Sequence, residues 1–174
     1  MKIYDISISL SKNTPKWPGS MGFCRSESIE NIPNIRNSTI HMDVHCGTHL
    51  DAPSHHISNG KTIDEIDIIK CIGPVRVIDC IGLDTITSHF LSQIKTSPDI
   101  FRILFKTDNS DIWNQKENVP TQTVGISLDA AVWLADHNIQ LIGIDWLSIQ
   151  RYGDFPDVHQ YLLKHEIIIL EGID

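Results

Sequence analysis

The stretch TIHMDVHCGTHLDAPSHH, residues 39–56, holds five of the chain's nine histidines. Read at period two, one face carries Met42, Val44, Cys46, Thr48, Leu50 and Ala52. The other carries His41, Asp43, His45, Gly47, His49 and Asp51. Alternation of this kind predicts a strand with its apolar face on a core. An ordinary solvent face would mix Lys, Glu, Ser and Thr. Here it is imidazole and carboxylate, the donors that bind Zn²⁺, Mn²⁺ or Fe²⁺.

Spacing refines that reading. His49 and Asp51 share a face about 7 Å apart at the backbone, so one ion between their tips is feasible. His45 stands about 13 Å from His49 along an ideal strand, too far for the same ion. The chain must bend between them, and Gly47-Thr48 is where it can, because a glycine inside a strand pattern marks a bulge or close approach. After Asp51, Pro53 turns the chain and lets His55 fold back over the metal as a non-ligand. His56 is expected to point the other way. His41 and Asp43 lie upstream of the bend, either supporting the site or simply exposed. Two residues of distant origin could join them: His159, on the first turn of a late helix, and Glu171, closing the apolar run IIILEG. Glu171 alone could equally be a strand end reaching water. His89, His137 and His165 sit in ordinary helix or loop contexts and are assigned no role.

Around this stretch, 174 residues with 41% apolar content suffice for one domain with a substantial core. A net charge of −8, with 14 scattered basic residues, argues against a nucleic-acid surface. No segment reaches the ~20 apolar residues of a membrane span, and MKIYDISISLSK reads as an alternating strand rather than a signal peptide, so the expected compartment is the cytoplasm. Cys24, Cys46, Cys71 and Cys80 form no CxxC pair and read as buried free thiols.

Further elements follow from pattern. IYDISISL reads as a strand, and NTPKWPGS as a loop presenting Trp17. GPVRVIDCI, FRILFKTD, IQLIGID and IIILEGID read as buried strands. SLDAAVWLADHN reads as a helix capped by Ser127. GDFPDVHQYLLKHE reads as a helix with Asp154 or Phe155 near its cap, Pro156 at its first position and Lys164-His165 in its last turn. Alternating strands and helices in the second half, after strands and loops in the first, predict a single α/β domain over residues 1–174: a mixed sheet with flanking helices.

HCGTHLDAPSHH resembles the signature H-x-G-T-H-x-D-x-P-x-H of the metal-dependent cyclase family, which includes bacterial kynurenine formamidases (arylformamidases) and isatin hydrolases. DISISLSKNTPKWPGS, ILFKTDNS, GISLDAAVWLADHNIQLIGIDWLSIQ, PDVHQYLL and IIILEGID are similar to its other blocks, so the resemblance spans nearly the whole chain. It implies a swivelling β/β/α fold. It implies that His45, His49, Asp51, His159 and Glu171 hold two divalent ions, zinc or alternatively manganese, bridged by Asp51 and Glu171. It implies that His55 is the general acid/base, that Trp17 lines the substrate pocket, and that the protein is a homodimer or larger assembly. The sequence departs from the family at His56, where an aromatic residue is usual, and in stopping at Asp174, where members usually continue (the usual C-terminal extension is lacking), which reads either as a short member or as part of a longer chain.

The expected activity is hydrolysis of a small, aromatic amide. Water on the metal becomes hydroxide near neutral pH, and His55 relays its proton to the leaving nitrogen. N-formylkynurenine leads as substrate and isatin follows. The rivals are a non-catalytic metal-binding relative, which would have no use for His55, and a Cys or Ser nucleophile, for which Cys46 faces the wrong way and no Ser sits in an elbow motif.

Overall fold

The computed structural model describes residues 2–27, 36–95, 97–113 and 122–174. Strands β1 (Phe23–Glu27) and β2 (Ser38–Met42) form an antiparallel ribbon. Strand β3 (His49–Asp51) and strand β4 (Arg76–Asp79) follow, then β5 (Thr85–Ile86) and the short helix α1 (Ser88–Ser92). The second half runs β6 (Arg102–Lys106), β7 (Gly125–Ile126), α2 (Leu128–Asp136), β8 (Leu141–Ile144), α3 (Asp157–Lys164) and β9 (Ile168–Glu171). Five strands make the central sheet in the order β3-β9-β8-β6-β4, with β3 antiparallel to β9 and the other pairs parallel. This is the mixed α/β sheet expected from the alternation of elements.

The inner parallel strands β6, β8 and β9 are aliphatic on both faces because both are covered. Ile103, Phe105, Ile142, Ile144 and Ile169 point into one cluster with Leu91, Ala131, Leu134 and Leu162 of the three helices. Leu104, Leu141 and Ile168 point to the opposite face, against Leu50, Ile66 and Leu170. Burying each large side chain is worth about 1.5–3 kcal/mol, so this block dominates the stability of the fold.

The N-terminal half departs from the sequence expectations in several places. IYDISISL is not a strand: only Ser7 makes a bridge, to Ile173, and Ile3 and Tyr4 are exposed. The stretch 39–52 is not one strand either, for a turn over residues 43–48 separates β2 from β3. Its apolar face is therefore only partly buried: Cys46 is inside, but Met42 and Val44 are exposed. Strand β4 pairs on one side only, and Val77 faces outward. Cys24 sits on the exposed ribbon, whereas Cys46 and Cys80 are buried as expected. In α3, Pro156 occupies the cap rather than the first turn, a shift of one position. Among the described residues, no helix is long and apolar enough to cross a membrane.

Candidate metal centre

Strand register places three of the side chains. His49 pairs with Glu171 and Asp51 with Ile169. Residues directly opposite in a ladder share a face, so His49, Asp51 and Glu171 all project to the helix-covered side. His159 comes down to the same point from the first turn of α3. A slip of β3 by one residue against β9 would turn His49 and Asp51 away from Glu171 and His159.

Two glycines permit the docking. Gly47 has φ +73° and Gly172 φ +70°, both in the left-handed region, and a Cβ on Gly172 would lie 2.8 Å from the Gly47 carbonyl carbon. Thr48 Oγ1 donates to the Gly172 carbonyl and accepts from Ile8 N at 2.8 Å. The turn before it is held by Asp43, whose carboxylate accepts from His45 N at 3.0 Å and Ser20 Oγ at 2.7 Å. Asp43 thus supports the site rather than facing bulk solvent. The bend brings His45 Nδ1 to 3.0 Å from His49 Nε2.

The resulting cluster forms two triads, His45/His49/Asp51 and Asp51/His159/Glu171, each with its donor atoms mutually within 4.8 Å. Asp51 is common to both. Its Oδ1 lies 3.1 Å from His45 Nδ1 and 3.5 Å from His49 Nε2, and its Oδ2 lies 3.7 Å from His159 Nε2. Glu171 Oε1 is 3.2 Å from His159 Nε2, and Glu171 Oε2 is 3.6 Å from His49 Nε2. Asp51 and Glu171 are 1% and 3% exposed.

The donor set fits a divalent cation. His49 Nδ1 is 2.9 Å from the Gly47 carbonyl, and His159 Nδ1 is 3.2 Å from Gln150 Oε1. Each Nδ1 acts as the donor to that oxygen, which leaves a lone pair on Nε2 aimed at the carboxylates, the arrangement typical of metal-bound imidazole. Asp51 Oδ1 is buried without a hydrogen bond, although two ring nitrogens lie close. Lone pairs converging at such distances repel unless a proton or a metal cation lies between them.

The electrostatics follow from this crowding. Burial and the neighbouring Asp51 charge push Glu171 well up. Burial also opposes the Asp51 charge, but His45 and His49 outweigh it and hold that carboxyl below its ordinary range. The Asp51 carboxylate raises His45. For His49, burial pulls down while Asp51, the Gly47 carbonyl and Glu171 together pull up, with a net rise. Burial lowers His159.

His55 is brought over the cluster but belongs to neither triad. Its ring centroid is 4.0 Å from that of His45, and burial and the His45 charge lower its pKa to about 4. His56 does not point away. Its ring lies 4.3 Å from His55 and 4.6 Å from His159, and burial lowers it as well. The turn at residues 53–55 carries both imidazoles to one side, which period-two reasoning could not foresee.

A cavity of about 290 Å³ opens onto both triads. Trp17 lines it and stacks on Tyr152, ring centroids 5.6 Å apart and planes within 20°. A larger cavity of about 850 Å³ shares Arg151, Tyr152 and Asp154 with it but reaches none of the triad residues. Sequence reasoning missed Gln150, Arg151 and Tyr152. They sit in a short connection between β8 and α3 that carries no pattern of its own.

Fold and donor set together make this cluster, at the edge of a mixed sheet, a candidate metal centre. Residues 4–151 match the family described as "Putative cyclase", and the chain belongs to that family. It is 33% identical to cyclase-like protein 2 of Arabidopsis thaliana over 183 residues, covering 99% of this chain and 67% of the relative. It is 33% identical to the kynurenine formamidase of Bacillus mycoides (strain KBAB4), covering 97% of this chain and 80% of that one. A solved structure described as a potential metal-dependent hydrolase with cyclase activity superposes with TM-score 0.82 at 30% identity, covering 99% of this chain and 81% of the other. The chain thus spans about two thirds of the plant relatives' length and four fifths of the bacterial ones'.

Proposed function

We propose that this protein is a metal-dependent amidohydrolase acting on C–N bonds of small aromatic amides outside peptides, in the manner of an arylformamidase. The observation that carries the reading is the sharing of Asp51 between two buried triads, with one of its oxygens left without a hydrogen bond. His45, His49 and Asp51 would hold one divalent ion, and Asp51, His159 and Glu171 a second, zinc or manganese. Such ions supply Lewis acidity and lower the pKa of water toward neutrality.

The rest is the work of side chains. Gly47 and Gln150 hold the His49 and His159 rings in one tautomer. His55, neutral at pH 7 because of its lowered pKa, accepts the proton of the attacking water and returns it to the departing nitrogen. Trp17 and Tyr152 offer a planar apolar wall to an aryl group. The volume of about 290 Å³ limits the substrate to a small molecule. Relatives that carry the name kynurenine formamidase support the amide class.

The test is metal content per chain in protein purified without chelator, followed by hydrolysis of formanilide. About two ions per chain with arylamine release is the expected result. Protein that stays metal-free after dialysis against Zn²⁺ and Mn²⁺ would overturn it.

A further inference from the structure

We propose that Arg151 is a specificity-determining residue that receives a carboxylate carried by the substrate, so that the site prefers anionic aryl amides. The inference deepens the amidohydrolase reading and rests on it for the location of the reacting bond.

Among the described residues, Arg151 is the only Lys or Arg lining the cavity over the two triads. It directly precedes Tyr152, whose ring completes the aromatic wall with Trp17. Its Nε donates to Asp154 Oδ2 at 3.2 Å, and that contact uses one edge of the guanidinium. Among the described residues the two Nη groups make no hydrogen bond to the protein. A guanidinium offers five N–H donors in a planar fork that matches a carboxylate bidentately, so an arginine on the lining of this cavity with its Nη groups unengaged suits a planar anion. An exposed pair with Asp154 three residues away is by itself worth little to stability, so loop bracing is a weak reason for arginine here.

The carboxylates that share the cavity do not compete for the fork. Asp43 is engaged by Ser20 and by the His45 backbone. Asp51 and Glu171 belong to the triads. Asp154 takes only the Nε edge. The chain's net charge of −8 gives anions no long-range attraction, so their recognition falls to this local cation.

The test compares formanilide with 2-, 3- and 4-formamidobenzoate on the metal-loaded full chain. In each, water adds across the C–N bond to release formate and an arylamine that takes up the proton. The expected result is that at least one isomer exceeds formanilide in kcat/KM by about tenfold or more. Arg151→Met should lower that ratio by about tenfold, chiefly through KM for the anionic substrate, and Arg151→Lys should restore part of it. Asp154→Asn should keep the preference, because the cation remains. The proposal is overturned if no isomer is preferred, if Arg151→Met leaves the ratio unchanged, or if Asp154→Asn lowers it equally, which would make the pair a loop clamp. Should the wild-type protein hydrolyse none of the four, the amidohydrolase reading falls. Equilibrium binding of benzoate against benzamide, followed by tryptophan fluorescence, then decides this inference separately. A benzoate preference abolished by Arg151→Met upholds it; equal binding sinks it.

Discussion

Strand β8 and the stretch from Ile40 to Val44 are both rich in aliphatic residues, yet they end in opposite environments. Ile142 and Ile144 are fully buried, whereas Ile40 is 57% and Val44 77% exposed. Strand β8 has β6 and β9 on either side and helices over one face, so each side chain meets a neighbour. Among the described residues, strand β2 has β1 as its only strand partner. Apolar alternation therefore sets which residues share a face, but the number of elements packed on that face decides burial. The candidate metal centre spans this divide. His159 and Glu171 belong to the packed half, while His45, His49 and Asp51 are carried in from the less covered half and pinned to β9.

Asp51, which serves both triads, offers the sharpest way to break the comparison. Asp51→Asn should lose metal and lower the formanilide rate by at least about 10³-fold, as removal of Lewis-acid chemistry implies. Elemental analysis and the rate assay check both, and retained metal would mean the halves do not meet at this residue. The packing contrast comes next. Ile142→Ala should cost about 3 kcal/mol in urea unfolding, while Ile40→Ala should cost under about 0.5 kcal/mol. Equal costs would mean the ribbon is covered in solution.

His55→Ala tests a residue of the less packed half that binds no ion in the proposed arrangement. It should keep the metal and lose about 10²-fold in rate, roughly 2.7 kcal/mol of transition-state stabilisation. Metal loss would make it a ligand. The smallest effect is expected at Asp129, where the Ser127 and Ser88 hydroxyls hold the carboxyl down to about 2 from an ordinary 3.8. A depressed folded pKa adds stability that is present above pH 3.8 and is lost as pH falls toward 2. At this exposed position the gain is under about 1 kcal/mol. Asp129→Asn should therefore lower the midpoint of thermal unfolding slightly at pH 6 and not at all at pH 2.

Much of the packed half was legible in the sequence, because strands covered on both faces must be continuously aliphatic and helices must show their stripe. FRILFKTD, SLDAAVWLADHN, IQLIGID and IIILEGID all became the elements their patterns predict. The bend at Gly47 was legible too, since His45 and His49 could share an ion only if the chain turned there. The failure of IYDISISL to form a strand was not, because a local pattern does not reveal that, among the described residues, only Ser7 of this segment enters a β-bridge.

The amino-acid sequence by itself determined the chemistry available: which imidazoles and carboxylates exist, that a glycine lets the chain bend among them, and that a proline turns it afterwards. Tertiary structure alone decided which of them meet. The pairing of His49 with Glu171 across 122 positions, the return of His56 to the cavity, the stacking of Tyr152 on Trp17 and the arrival of Arg151 on the cavity lining all depend on strand register and loop path. Those are set by non-local packing, which a pattern of neighbouring residues does not encode.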